Sequence, residues 1–85
     1  MKFVYLLRSI RFPECRYVGI TRNVEKRLAS HNSGQSPHTA EFRPWKSITF
    51  MGVEDDQVAA RFERYLKSAS GRAFVAKHFL TDGSA

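Results

Sequence analysis

Two tyrosines in β-branched, aromatic-rich stretches, Tyr5 and Tyr17, stand ahead of an arginine and a histidine four residues apart, Arg27 and His31. A glutamate, Glu63, follows in the segment AARFERYLK. Each meets a need of phosphodiester hydrolysis, which takes an activated water, a cation to offset charge on the phosphoryl oxygens, and stabilisation of the leaving oxygen. Glu63 could hold one Mg²⁺ or Mn²⁺, hard cations that prefer carboxylate oxygen, Mg²⁺ keeping several waters as well. Arg27 could pair with a phosphate in planar, bidentate geometry. A tyrosine could accept the water's proton if the metal and Arg27 lower its pKa from about 10. His31, of reference pKa about 6.5, could hydrogen-bond that hydroxyl or shuttle its proton.

Local sequence says what would position these groups. KFVYLLR and CRYVGI read as two strands joined through SIRFPE, close enough for a hairpin. Alternation puts Phe3, Tyr5 and Leu7 on one face, as it does Cys15, Tyr17 and Gly19, and leaves Val4, Leu6, Val18 and Ile20 for the other. Asn23 is a good N-cap, Glu25 complements the helix dipole, and Val24 with Leu28 makes an apolar i, i+4 pair, so a helix should run to about His31. Arg27 and His31 then border its buried face, and Lys26 points out. NSGQSPHTAEFRP reads as a long polar loop that could close over a substrate.

WKSITFMGV alternates like a third strand, and EDDQVAARFERYLKSAS reads as a second helix with Val58, Phe62, Tyr65, Leu66 and Ala69 as its apolar stripe. Glu63 lies beside that stripe. RAFVAKHFL reads as a short third helix, and TDGSA as a frayed tail. The expectation is one α/β domain of the α+β type over residues 1–80, with a flexible tail at 81–85. Its sheet is three-stranded and mainly antiparallel, flanked by helices in the order β-β-α-β-α-α.

Every one of these side chains also has an ordinary role open to it. Strand tyrosines pack with the hydroxyl at the surface, Arg27 and His31 suit a helix flank and end, and Glu63 has Lys67 at i+4. Trp45 after Pro44 reads as a core anchor, and Cys15 as a small core residue. His38 and His78 are too isolated to argue a metal site.

Lys and Arg total 14 against 8 Asp and Glu, a formal charge of +6. That favours a polyanionic partner, nucleic acid first, because clustered cations release counterions from phosphates. Arg22, Lys26, Arg43, Lys46, Arg72 and Lys77 are candidate phosphate contacts. An adaptor for an acidic protein is the competing class, and it predicts no nucleic-acid affinity in low salt. A single cysteine excludes an intrachain disulfide and fits a reducing cytoplasm. MKFVYLLRSIRF lacks a signal-peptide cleavage site, and no apolar run approaches the ~20 residues of a membrane helix.

Taken together, Phe3-Val4-Tyr5, Tyr17-Val18-Gly19, Arg27 ten residues after Tyr17, and Glu63 in its helix resemble the GIY-YIG nuclease family. HNSGQSPHTAEFRPWK and SGRAF are similar to stretches of its small stand-alone bacterial members. The resemblance implies that the first strand is central and that Tyr5, Tyr17, Arg27, His31 and Glu63 converge on one sheet face in a shallow basic cleft, with Glu63 as metal ligand. It implies a metal-dependent DNA endonuclease of repair or processing, with either motif tyrosine as the base, Tyr5 being preferred here and Tyr17 positioning water or phosphate. Two features depart from the family pattern: Phe3 stands for the first motif's Gly, and the C-terminal Asn has no match, although His78 lies nearby. The alternative is a weak or inactive nucleic-acid-binding module of the same fold. Binding should be salt-sensitive and largely independent of sequence, with a protein partner or a dimer supplying any targeting.

Overall fold

The computed structural model describes residues 1–80, so the tail expected at 81–85 lies outside them. Three antiparallel strands form one sheet: β1 (Lys2–Ser9), β2 (Arg16–Thr21) and β3 (Trp45–Val53). Their order is β2-β1-β3, so β1 is central as expected. The register sets Tyr5 opposite Gly19 and Leu7 opposite Tyr17, which keeps both tyrosines on one face. On the other side of β1 the pairing skips a residue of β3 between Thr49 and Ser47, a bulge of the kind that increases local twist.

The helices are α1 (Val24–Ser33), α2 (Pro37–Ala40), α3 (Asp56–Lys67) and α4 (Ala69–Phe79). The Asn23 side chain caps α1 by accepting from the Lys26 amide at 3.0 Å. The helix ends at Gly34, whose φ of 85° suits glycine. Asp55 caps α3 through the Gln57 and Val58 amides, at 2.8 and 3.0 Å. The sequence reads residues 54–70 as one helix, but Ser68 adopts extended backbone and its hydroxyl accepts from the Gly71 amide, starting α4. That cap sets the break between the two expected helices at Ser68, so that Ala69 and Ser70 open α4 rather than end α3.

The sheet is covered on both faces. Val4 and Leu6 pack with Ala59, Leu66 and Val75 of α3 and α4, whereas Tyr5, Leu7 and Trp45 form a second cluster with Tyr17, Leu28 and Phe42. Burial of each Leu or Val here stabilises by roughly 1.5–3 kcal/mol. The expected stripe of α3 is rotated. Ala59 and Leu66 are its buried residues, while Val58, Tyr65 and Ala69 are exposed. Tyr65 instead stacks at 6.3 Å on Phe62 and tilts against Phe74, so its aromatic ring serves the α3–α4 seam rather than the sheet. Cys15 is a half-buried neighbour of the second cluster, not a core residue.

Of the stretch 32–44, read as a loop that could close over substrate, Asn32 and Ser33 end α1 and the rest is pinned. It contains α2, and Thr39 within it is buried. Ser9 Oγ donates to the Phe42 carbonyl at 2.6 Å, and the Asn32 carboxamide makes two bonds to the Trp45 backbone, at 2.6 and 3.0 Å. These contacts tie α1 to the start of β3 and hold the loop against the sheet.

Candidate active site

The Tyr5 phenol is the centre of a hydrogen-bonded chain. Its Oη lies 2.9 Å from His31 Nε2 and accepts from Arg27 Nε at 3.3 Å. His31 Nδ1 is 2.7 Å from Thr39 Oγ1, which donates in turn to the Ser36 carbonyl at 3.4 Å. Trp45 Nε1 donates to the Thr39 carbonyl at 2.8 Å and so fixes α2 from below. Because Tyr5 Oη already accepts from Arg27, its own proton is satisfied only by donating to Nε2. Nδ1 therefore carries the imidazole proton and gives it to Thr39.

Electrostatics agree with that proton count. Burial, and then the Arg27 charge, push the His31 pKa down, so the imidazole is neutral near pH 7. Burial raises the Tyr5 pKa above its ordinary value, and the Tyr17 and Glu63 charges raise it further against the opposing pull of Arg27. Tyr5 is thus a phenol aimed at a neutral base. The same hydrogen bond to Tyr5 raises the Arg27 pKa.

Tyr17 extends the cluster, its ring edge-on to His31 at 4.9 Å and 6.2 Å from Tyr5. Gly19 gives the space: a Cβ there would collide with the Tyr5 hydroxyl and sit 2.8 Å from Tyr5 Cε1. Four of the five expected residues therefore share one face. Glu63 does not join them from that face, because α3 packs on the Val4 and Leu6 side of the sheet. Its charge nevertheless acts on the Tyr5 phenol, and α3 lies over β1 and the edge strand β2. The carboxylate is held by Lys67 Nζ at 2.7 Å, its side chain 15% exposed.

No group of three or more His, Cys, Asp or Glu side chains among the described residues could hold a metal. The donor set does fit Mg²⁺ as substrates carry it, on one carboxylate with waters and phosphate oxygens completing the shell. Glu63 is the residue that would hold it, once released by Lys67.

The six candidate phosphate contacts do not form one surface patch. Arg22 pairs with Asp56 at 3.4 Å, and Arg43 packs over Gly34. Lys46 lines a shallow depression with Arg8 and Pro13, and Arg72 borders a different pocket. Lys26 and Lys77 are exposed on α1 and α4. Phe3, which replaces the motif Gly, turns its ring edge-on to Phe50 at 6.0 Å. His78 packs on Phe74 at 4.7 Å, outside the Tyr5 chain. Thr39 and Asn32 escaped the sequence reading. The one local signal for α2 is Pro37 following Ser36, which suits a helix start.

Comparison with known proteins places the chain. Residues 1–77 match the GIY-YIG catalytic domain. A structure-specific endonuclease subunit SLX1 from Debaryomyces hansenii is 38% identical over 71 residues, which cover 75% of this chain and 20% of that protein. A UPF0213 protein from Clostridium perfringens is 35% identical over 68 residues, 79% of this chain and 71% of the relative. The chain thus spans about a fifth of the SLX1 subunit and most of the small bacterial protein. No helix among the described residues is long and apolar enough to cross a membrane.

Proposed function

This chain belongs to the GIY-YIG family of nuclease domains, and from that premise we propose that it is a metal-dependent endonuclease hydrolysing DNA phosphodiester bonds in repair or processing. The observation that carries the reading is the Tyr5 phenol, held between the acceptor His31 Nε2 and the donor Arg27 Nε within reach of the Glu63 charge. Mg²⁺ or Mn²⁺ held by Glu63, with waters and phosphate oxygens, supplies charge neutralisation at the phosphoryl group and the leaving oxygen.

The protein's own groups do the rest. Arg27 gives its Nε to Tyr5 and also hydrogen-bonds Tyr17, and the remaining donors of its fork face a phosphate. As the attacking water loses a proton to Tyr5 Oη, the phenol proton passes to His31 Nε2. No buried phenolate has to exist beforehand. Thr39 accepts from Nδ1 and stabilises the imidazolium that forms. Tyr17, half-buried beside both rings, orients the water or the phosphate. The test is cleavage of supercoiled, branched and single-stranded DNA in Mg²⁺, Mn²⁺ or EDTA: metal-dependent cutting is expected, and uncut DNA across the panel overturns the reading.

The Lys67–Glu63 ion pair favours one other reading, a binding module in which that carboxylate never takes a metal. Salt-sensitive DNA binding that Glu63→Ala leaves unchanged, with no cleavage, is its signature. The biological partner that targets the domain, a second protein or a second copy, belongs with these proposals.

A further inference from the structure

On the α3–α4 face of the sheet, across from the Tyr5 cluster and between β2 and the helical hairpin, lies a pocket of about 180 Å³. Leu6, Val18, Leu66 and Val75 line it with apolar surface, Arg16, Lys67 and Arg72 line it with positive charge, and Tyr17 of β2 borders it. Apolar floor and cationic rim together match one ligand chemistry, a flat ring carrying a phosphate. The pocket is smaller than the ~300–1,000 Å³ of drug-sized ligand sites, so it suits a single base rather than a base pair. A base reaches such a pocket only when it is out of the helical stack.

We propose that this pocket binds one unpaired nucleotide of the substrate, its base on the apolar lining and its phosphate on Arg16, Lys67 and Arg72. The proposal rests on the nuclease reading and deepens it, naming DNA with a single-stranded segment as the substrate class. An acidic peptide would also satisfy the cations, but nothing about a peptide accounts for the pocket's position beside Lys67, the partner of Glu63. Lys67 gives the position a consequence. Its ammonium is the group that occupies Glu63, so a phosphate that draws Lys67 into the pocket frees the carboxylate for metal. Substrate seating and metal loading are then linked.

The test is binding without turnover. Fluorescence anisotropy in EDTA compares a labelled oligo(dT) with a blunt duplex of equal length, using the wild type, Arg72→Glu and Arg61→Glu. Arg61 on α3 and Arg72 on α4 are both exposed, and the two variants make the same charge change. Arg72→Glu should weaken oligo(dT) binding about tenfold, and Arg61→Glu no more than about threefold, because only the first removes a seated phosphate contact. Thymidine monophosphate should displace oligo(dT) from the wild type better than thymidine or inorganic phosphate does. Equal losses in the two variants, no loss in either, or a preference for the duplex overturns the pocket. So does displacement of oligo(dT) by poly-glutamate at the concentration at which the nucleotide works. A wild type that binds oligo(dT) through Arg72 yet cuts nothing in Mg²⁺ or Mn²⁺ sinks the nuclease reading and keeps the pocket. One that cuts DNA without an Arg72-specific effect does the reverse.

Discussion

On the α1 face of the sheet, Tyr5, His31 and Thr39 are 2%, 0% and 1% exposed, and among the described residues no buried side-chain polar atom lacks a partner. On the α3–α4 face, the Glu63 side chain is 15% exposed and is paired with Lys67, which is 52% exposed and lines an open pocket. One half of the site is assembled by folding. The other half carries the groups that, on the proposed reading, a metal and a substrate would rearrange. A buried polar chain is costly to leave incomplete, so it is fixed by the fold, whereas an exposed ion pair contributes little and can be exchanged. Catalysis and stability should therefore separate across the sheet, and substitutions on the two sides test whether they do.

The largest separation is expected at Glu63. Glu63→Gln removes the carboxylate charge, and cleavage should fall by about 10³-fold or more, the scale of losing a charged transition-state contact. Stability should change by about 1 kcal/mol or less, because the Lys67 end of the pair is exposed and Gln keeps the shape of the half-buried Glu63 side chain. Cleavage assays and thermal melts on the same preparation check both. A melt that collapses along with activity would mean that Glu63 belongs to the structural half after all.

Tyr5→Phe should fail on both counts. Loss of the hydroxyl strands His31 Nε2 and removes the acceptor for Arg27, which costs about 1–3 kcal/mol. In a domain of this size that is a fall of roughly 4–8 °C in Tm for each kcal/mol. Cleavage should drop by about 10²–10⁴-fold, the usual worth of a positioned acid–base group. An active and unshifted variant would remove Tyr5 from the centre of the chain.

The comparison also explains what could be read from the sequence. Tyr5, Tyr17 and Gly19 were legible because strand alternation is a local, period-two signal, and Asn23 set the phase of Arg27 and His31. Thr39 was not, because its partner His31 is eight residues back and the two meet only when α2 folds against α1. The stripe of α3 was misphased because counting apolar residues gives Tyr65 and Val58 the weight of core, although α3 buries small Ala59 and Leu66 against the sheet and leaves the ring of Tyr65 to α4. The expectation of Glu63 on the face of Tyr5 came from the family resemblance, which says that the residues cooperate but not from which side of the sheet each one reaches. Which face a helix covers is a tertiary fact that its own periodicity does not contain.

A smaller effect should follow pH. The His31 pKa is lowered by folding, so between that value and about 6.5 the unfolded chain binds the extra proton and the folded chain does not. Stability contributed by this group is present above about pH 6.5 and is lost as pH falls through that window. Denaturant midpoints measured from pH 7.5 down to 5 should show this slope, and His31→Gln should flatten it. A slope unchanged by the substitution would place the acid sensitivity elsewhere.

The smallest effect tests the exchangeable half most directly. Lys67→Met keeps the length of the side chain, removes its charge and leaves Glu63 without the partner now 2.7 Å away. If metal must compete with that ammonium, the variant should bind Mn²⁺ more tightly in the absence of DNA. The gain is bounded by the worth of an exposed pair, about 0.2–1 kcal/mol, and so should not exceed about fivefold. Electron paramagnetic resonance of free Mn²⁺ reads it without any cleavage. The same variant should lose affinity for oligo(dT), because Lys67 also lines the nucleotide pocket. Opposite signs for metal and for single strand are what one lysine shared between two ligands requires. Two losses together would instead mean that Lys67 holds Glu63 in the position the metal needs, and that the carboxylate is as preorganised as the tyrosine across the sheet.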